Sequence, residues 1–288
     1  MRIVNFDKNG TPALAVRVGR KLVDLSVAAP ELPRELKGLL AGGQRALDNA
    51  AAAAKAAGKE ATVDEKKIKY LPPVHNPNKV LCLGLNYRDH AIETGAQIPT
   101  YPVVFTRENT TLVGHGQPMV RPKASKQLDF EAELAVVIGT AGRHVSKARA
   151  LDHVAGYACF NDGSIRDYQR KSSQFIMGKN FDATGGFGPE LVTADELPRG
   201  ADGLAISCKL NGKTVQSSNT KQHIFDVPTT IHLLSVAMTL EPGDVIIMGT
   251  PSGVGMARKP QLWMKGGDKC DIVIKGIGTL SNPIVNER

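Results

Sequence analysis

The chain has 288 residues, of which 42% are apolar and 22% charged, and this composition excludes a mostly disordered protein. The length allows one large domain, or one domain with a small appendage. The net charge of +8 favours an acidic ligand, whereas the 5% of aromatic residues and the absence of dense Lys/Arg clusters argue against a nucleic-acid partner.

The sequence of the N-terminal quarter predicts a small α/β unit. Residues 1–25 alternate in polarity and turn at DKNG, which indicates two or three short strands. Residues 31–58 are rich in Ala and Leu and predict two helices broken at Gly42–Gly43. Prolines and asparagines then mark a linker at 71–78, so we predict a small domain at 1–70 and a main domain at 79–288.

The main domain predicts many short strands and few helices. The apolar runs, separated by Gly, Pro, Asp and Asn, are KVLCLG, YPVVF, ELAVVIG, GYACF, LAISCKL, DVIIMG and CDIVIKG. Helices are expected near 88–94, 146–150 and 229–239. The predicted class is α+β and β-rich, a mixed β-sandwich roll, and not a doubly wound α/β fold.

Four cysteines lie far apart in apolar runs, namely Cys82, Cys159, Cys208 and Cys270. No CxxC pair is present, so a zinc site is not expected and the thiols are predicted to be buried and reduced. The start of the chain lacks the apolar run of a secretion signal, and no segment approaches the ~18 apolar residues of a membrane span. We therefore expect a cytoplasmic protein without a membrane partner.

Carboxylates cluster at the start of one strand, in KQLDFEAELAVVIG. On a strand, Glu131 and Glu133 point to the same face with Cα atoms roughly 6.5–7 Å apart, so both can bind one hard cation. Asp129 shares this parity, and Asp162, at the end of another apolar strand, is a candidate third ligand. Oxygen ligands without His or Cys favour Mg²⁺, Mn²⁺ or Ca²⁺ over zinc. The alternatives are a solvated edge strand for the Glu pair and a helix N-cap for Asp162.

The segment NYRDHAIETG carries a candidate general base. His90 and Glu93 are three residues apart and share a face of a helical turn, where the carboxylate orients the imidazole ring and raises its basicity. The alternative is an ordinary pair on a surface helix.

The segment IIMGTPSGVG, 246–255, predicts a buried strand that ends in a loop rich in Gly, Ser and Thr. Such a loop offers backbone N–H groups and hydroxyls to a carboxylate or phosphate. It is not a phosphate-binding P-loop, because the Gly-Lys-Ser/Thr ending is absent, and a plain tight turn is the alternative.

Several segments occur in a family-specific order: NYRDHAIETG, DFEAELAVVIG, NDGSIRDYQ, GKNFD followed by GP, VQSSNT and GDVIIMGTPSGVG. Together with the C-terminal GGDKCDIVIKGIGTLSNPIV, they resemble the fumarylacetoacetate hydrolase family over about residues 78–288. Residues 1–70 resemble the small, variable N-terminal unit of bacterial members.

The resemblance implies a role for each matching residue. It implies a divalent metal, Mg²⁺ or Mn²⁺, held by Glu131, Glu133 and Asp162. It implies a His90–Glu93 dyad that activates water. The implied substrate-contacting residues are Arg107, Gln169, Lys179 and Thr250, with Lys179 also acting in catalysis.

The sequence departs from the family pattern at three places. Leu83 occupies the position of a fourth metal carboxylate found in the enzyme that names the family. Arg107 stands where a lysine is frequent, and the forked guanidinium is not equivalent to an ammonium. DATGGFG is glycine-rich where members often carry aromatic residues, which predicts a more open pocket wall.

The expected activity is metal-dependent hydrolysis of a C–C bond in a 2,4-diketo acid, an acylpyruvate or a diketo-deoxy sugar acid, giving pyruvate and a carboxylic acid. The alternative is an oxaloacetate decarboxylase or tautomerase, or a lyase or dehydratase, acting on a related acid at the same site. A homodimer is expected from the family resemblance.

Overall fold

The computed structural model describes residues 1–288 as strands in two sheets and a two-stranded ribbon, with short helices around them. The first nine strands are β1 (Arg2–Lys8), β2 (Thr11–Val18), β3 (Lys21–Asp24), β4 (Thr62–Val63), β5 (Lys69–Tyr70), β6 (Val80–Gly84), β7 (Val103–Thr106), β8 (Leu112–Val113) and β9 (Met119–Arg121). The others are β10 (Leu128–Asp129), β11 (Ala132–Ile138), β12 (Val154–Asp162), β13 (Ser164–Ile165), β14 (Gly185–Thr193), β15 (Ala205–Leu210), β16 (Lys213–Asn219), β17 (Val245–Ile247), β18 (Lys269–Ile274) and β19 (Gly278–Asn286).

Seven α-helices accompany the strands: α1 (Leu25–Ala28), α2 (Leu36–Ala41), α3 (Gly43–Ala56), α4 (Arg88–Thr94), α5 (Arg166–Gln169), α6 (Ile176–Lys179) and α7 (Val227–Ala237). The predicted break between two N-terminal helices is confirmed, and Gly43 there has a φ of 67°, which favours glycine. The helix expected near 146–150 is a 3₁₀ helix, Lys147–His153. No helix combines the length and apolar character needed to cross a membrane.

The largest sheet has twelve strands and contains both the N-terminal strands and the central strands of the main domain. Its order is β4-β3-β2-β1-β14-β12-β11-β17-β6-β7, with β5 on β1 and β8 on β14. A second sheet has the order β16-β15-β18-β19-β9, and β10 pairs with β13. The mixed, β-rich architecture predicted from the sequence is confirmed.

The central strands of the large sheet are buried on both faces. On β11, Leu134, Val136 and Ile138 pack into one core, whereas Ala135 and Val137 pack into the other. The period-2 alternation of a strand explains this division, since successive side chains point to opposite faces. The core that contains Ala135 and Val137 also takes in helices α2 and α3.

The N-terminal strands continue the sheet of the main domain. Strand β1 pairs antiparallel with β14, and Ile3 lies opposite Leu191. Residues 71–78 contain no helix or strand, which fits a connecting segment. The division at 1–70 and 79–288 stays a prediction, because one sheet runs through both parts.

Candidate active site

Three carboxylates meet where β11 and β12 lie side by side. Oxygen atoms of Glu131, Glu133 and Asp162 lie within 4.8 Å of one another, and all three residues are buried. Glu133 is on β11 opposite Phe160 of β12, and Asp162 is the last residue of β12. The Asp162 N–H donates to the Glu131 carbonyl at 3.0 Å, so the two strands fix the spacing of the triad.

Lys179 neutralises part of this negative charge. Its Nζ lies 2.6 Å from Glu131 Oε2 and 2.5 Å from Asp162 Oδ2. Burial opposes ionisation of Glu131, but Arg166 and Lys179 bring its pKa well below the usual value. An ammonium has three N–H donors, so the two carboxylates leave one donor of Lys179 for another group.

Glu133 has no cationic partner. Its Oε2 accepts the Gly249 N–H at 2.5 Å. Burial, followed by repulsion from Asp162 and Glu131, raises the pKa of Glu133 well above its usual value. A buried carboxylate beside two others is costly unless a cation compensates it. The three hard oxygen donors therefore fit a divalent cation of the Mg²⁺ or Mn²⁺ type.

Asp129 is turned away from the triad despite its matching parity. Arg166 Nε donates to Asp129 Oδ2 at 2.8 Å, and the Gly255 and Met256 N–H groups donate to the same carboxylate. Arg166 Nη2 also donates to Glu131 Oε1 at 2.6 Å. Asp129 thus positions Arg166, which in turn holds Glu131.

The location of Arg107 differs from the one predicted for a substrate-binding residue. Its side chain is fully buried and does not line the cavity described below. It donates to Asp162 Oδ1 at 2.5 Å, and also to the Gly163 carbonyl and the Thr184 hydroxyl. Arg107 therefore holds a carboxylate of the triad in place. The sequence could not show this, because Arg107 and Asp162 are far apart in the chain.

Helix α4 carries the predicted dyad. His90 Nδ1 lies 3.3 Å from Glu93 Oε2, and Glu93 Oε1 accepts the Gly253 N–H at 2.8 Å. Burial raises the pKa of Glu93, but the hydrogen bonds from His90 and Gly253 outweigh it, and the net pKa is lowered. An ionised Glu93 beside Nδ1 leaves His90 Nε2 as the nitrogen available for proton transfer.

A cavity of about 440 Å³ brings most of the predicted residues together. Those that line it are His90, Glu131, Glu133, Asp162, Gln169, Lys179 and Thr250. Glu93 contacts His90 from outside it. A polar site with a carboxylate triad, one His and one Lys can bind a small acid and move protons on it.

Gln169 and Thr250 line the cavity but are partly committed to the protein. Arg166 Nη1 donates to Gln169 Oε1 at 2.9 Å. The Thr250 hydroxyl donates to the Ala132 carbonyl and accepts from Gln216 Nε2. The amide N–H₂ of Gln169 remains a donor for a ligand, whereas the Thr250 hydroxyl has already given its proton. Their roles as substrate ligands stay predictions.

Sequence reasoning missed Arg166 and Arg170 as site residues, although both lie in the segment NDGSIRDYQR. Their spacing of four residues places them one helical turn apart, which is a signal that the sequence does contain.

Comparison with known proteins defines the family. Residues 79–285 match the family described as "Fumarylacetoacetate (FAA) hydrolase C-terminal". The chain belongs to the fumarylacetoacetate hydrolase family. The resemblance inferred from the sequence is thereby confirmed over nearly all of the main domain.

Two relatives of this family member are named as oxaloacetate tautomerases. The chain is 38% identical over 291 residues to "Oxaloacetate tautomerase fahd2, mitochondrial" of Xenopus laevis, covering 99% of this chain and 90% of the relative. It is 45% identical over 222 residues to "Oxaloacetate tautomerase YisK" of Bacillus subtilis (strain 168), covering 76% of this chain and 73% of the relative.

Solved structures of family members share the whole fold. "Fumarylacetoacetate hydrolase (EaFAH)" from Exiguobacterium antarcticum is 34% identical with a TM-score of 0.86, and both chains are covered completely. Maleylpyruvate hydrolase from Sphingobium sp. SYK-6, in complex with manganese(II) ion and pyruvate, is 28% identical with a TM-score of 0.81, again with complete coverage of both chains.

Proposed function

We propose that this enzyme of the fumarylacetoacetate hydrolase family is an oxaloacetate tautomerase, which interconverts the keto and enol forms of a 2-oxo diacid. The similarity to two relatives named oxaloacetate tautomerase carries the proposal, since one of them covers 99% of this chain. Tautomerisation is one of the activities in the alternative drawn from the sequence, and it has more support than C–C bond hydrolysis.

The chemistry requires a proton to leave C3 and another to reach the oxygen on C2. His90 Nε2 takes the proton from C3 as general base, because Glu93 occupies the Nδ1 side of the ring. The C3–H electron pair becomes the C2–C3 double bond, and the carbonyl electron pair moves to the oxygen. Water then gives a proton to that oxygen to form the enol, and His90 releases the proton it took to water, so that no net proton is consumed; the reverse path gives the keto form.

Lys179 stabilises the negative charge that develops on the C2 oxygen. Glu131 and Asp162 fix its ammonium within the cavity and leave one N–H donor for the substrate. A cation that is already oriented needs no reorganisation during the reaction, which is the main advantage of electrostatic catalysis.

Glu131, Glu133 and Asp162 would hold a divalent cation, Mg²⁺ or Mn²⁺, and such a cation supplies Lewis acidity that favours the enolate-like charge distribution. A manganese complex of a relative with 28% identity supports this assignment.

Hydrolysis of an acylpyruvate is the second candidate. The likeness to maleylpyruvate hydrolase over the whole chain favours it, and the same His90–Glu93 dyad is suited to activate water. The two reactions differ in their products, since tautomerisation breaks no C–C bond.

The test follows the enol absorbance of freshly dissolved oxaloacetate with Mg²⁺ or Mn²⁺, and with EDTA. We expect metal-dependent acceleration over buffer alone, without release of pyruvate and CO₂ in step with it. Acylpyruvates are assayed in parallel by mass spectrometry of the products. An unaccelerated enol decay together with cleavage of an acylpyruvate would replace the proposal with the second candidate.

A further inference from the structure

Three side chains with a permanent positive charge line the cavity, and one of them has no carboxylate partner. Lys179 is paired with Glu131 and Asp162, and Arg166 with Asp129 and Glu131. Arg170 forms no salt bridge.

The guanidinium of Arg170 is exposed at the edge of the cavity. Its one side-chain hydrogen bond is from Nη2 to Met256 Sδ at 3.7 Å, and Met256 lines the same cavity. Neither this weak acceptor nor the backbone neutralises the charge. The cavity therefore presents a free planar cation to whatever enters it.

Helix α5 fixes where this cation lies. The Arg170 N–H donates to the Arg166 carbonyl at 3.2 Å, so the helical turn continues to Arg170. Four residues along a helix correspond to a rise of about 6 Å. Arg166 is buried and contacts Glu131 directly, whereas Arg170, one turn along the same helical face, is exposed, so Arg170 marks the solvent side of the cavity.

The cavity has two ends that differ in chemistry. The triad and Lys179 form the inner end, where the reacting 2-oxo acid group is expected. Arg170 forms the outer end. Ser173 is likewise an exposed residue of the cavity lining, and its hydroxyl makes no hydrogen bond within the chain. A guanidinium matches a carboxylate with two parallel hydrogen bonds, and a serine hydroxyl adds a third donor.

We propose that Arg170 binds the distal carboxylate of the substrate and thereby selects dicarboxylic 2-oxo acids over those with a neutral tail. The inference rests on the proposed function, since it assigns the second carboxylate of oxaloacetate to a specific residue. Arg170 is a specificity-determining residue, and proton transfer by His90 does not depend on it.

The experiment compares Arg170→Gln with the wild-type enzyme in the presence of Mg²⁺. We expect KM for oxaloacetate to rise about 10- to 100-fold, which is the loss expected for a charge-assisted hydrogen-bonded pair, while kcat stays within about 3-fold. Pyruvate, which lacks the distal carboxylate, is used as a competitive inhibitor, and its inhibition constant should not change. Arg170→Lys should restore part of the affinity, because it keeps the charge but loses the fork.

Lys171→Gln is the matched control. It removes one positive charge from the neighbouring position, but Lys171 does not line the cavity, and its Nζ lies 3.6 Å from the Tyr168 ring centroid. KM should remain near the wild-type value. An equal rise of KM in Lys171→Gln would assign the effect to the general charge of the surface and overturn the proposal.

Calorimetric titration of oxaloacetate and pyruvate into the Mg²⁺-loaded protein separates this inference from the proposed function. A wild-type protein that binds oxaloacetate more tightly than pyruvate, and loses this preference in Arg170→Gln, supports the role of Arg170 even if it does not tautomerise oxaloacetate. An unchanged preference in Arg170→Gln, or an equal loss of pyruvate binding, overturns it.

Discussion

Glu133 is the only carboxylate of the triad without a cationic partner in the protein, and this makes its effect on stability predictable. We expect Glu133→Gln to raise the free energy of unfolding of the metal-free protein, because it removes the repulsion from Glu131 and Asp162. The amide oxygen can still accept the Gly249 N–H. Urea unfolding in EDTA measures the change.

The same variant should lose its response to metal. Mg²⁺ or Mn²⁺ at 100 times its Kd stabilises the native state by about 2.7 kcal/mol, provided that it binds only that state. Wild type should show this gain, and Glu133→Gln should show little or none. A full metal response in the variant would remove Glu133 from the ligand set.

Arg107 forms a buried ion pair with Asp162 of the triad, and its removal should lower the free energy of unfolding. Arg107→Met leaves Asp162 with Lys179 alone, and breaking a buried ion pair costs about 3–5 kcal/mol. Arg149→Met is the control, because Arg149 pairs with Asp152 at the surface, where a pair contributes about 0–1 kcal/mol. Equal losses in urea unfolding would contradict the assigned role of Arg107.

At the scale of elements, helix α4 and the 249–255 loop act as one unit. Asp89 Oδ2 accepts hydrogen bonds from the Ser218 and Ser252 hydroxyls, and Glu93 accepts the Gly253 N–H. These contacts fix the helix that carries His90. The loop that the sequence suggested for an anionic ligand thus holds the helix that carries the predicted His90–Glu93 dyad.

We expect Asp89→Ala to displace His90 slightly and thereby to lower kcat by about 10- to 100-fold, since a small shift of the proposed general base slows the reaction strongly. The metal-induced increase in Tm should be unchanged, because the triad lies on other elements. Both quantities are measured on the same preparation. A lost metal response would mean that Asp89 supports the whole site and not the position of His90.

Local patterns made most elements predictable. The alternation along β11, the break at Gly43 and the i, i+3 spacing of His90 and Glu93 are all contained in short windows of sequence. The partners of Arg107 and Asp129 could not be predicted, because each lies on an element distant in the chain. The alternation of a strand places Asp129 on the same face as Glu131 and Glu133. In the structure, Asp129 instead pairs with Arg166 and accepts backbone N–H groups.

At the scale of the whole molecule, the homodimer stays a prediction. Exposed apolar side chains lie on the edge strand β7 and on the adjacent helix α6, namely Val103, Val104, Ile176 and Met177. Unpaired, apolar edge strands are prone to associate, so this is the surface to inspect if light scattering shows a mass twice that of the chain.

The large sheet joins the N-terminal strands to the central strands, so both parts should unfold together. Leu39 of helix α2 is fully buried in the same core as Val137 of β11 and Ile247 of β17, so the N-terminal segment and the central strands share one core. The sequence suggested a separate small domain because residues 1–70 have their own strand and helix patterns and are followed by a segment rich in proline and asparagine. It could not reveal that β1 pairs with β14.

We therefore expect the chain to unfold in one cooperative transition. Leu39→Ala should cost about 2–5 kcal/mol, the usual loss for a buried leucine. The loss should appear equally in the fluorescence of Trp263, which lies in the main part of the chain, and in far-UV circular dichroism. If residues 1–70 were an independent domain, the substitution would leave the Trp263 transition unchanged, and the two probes would separate.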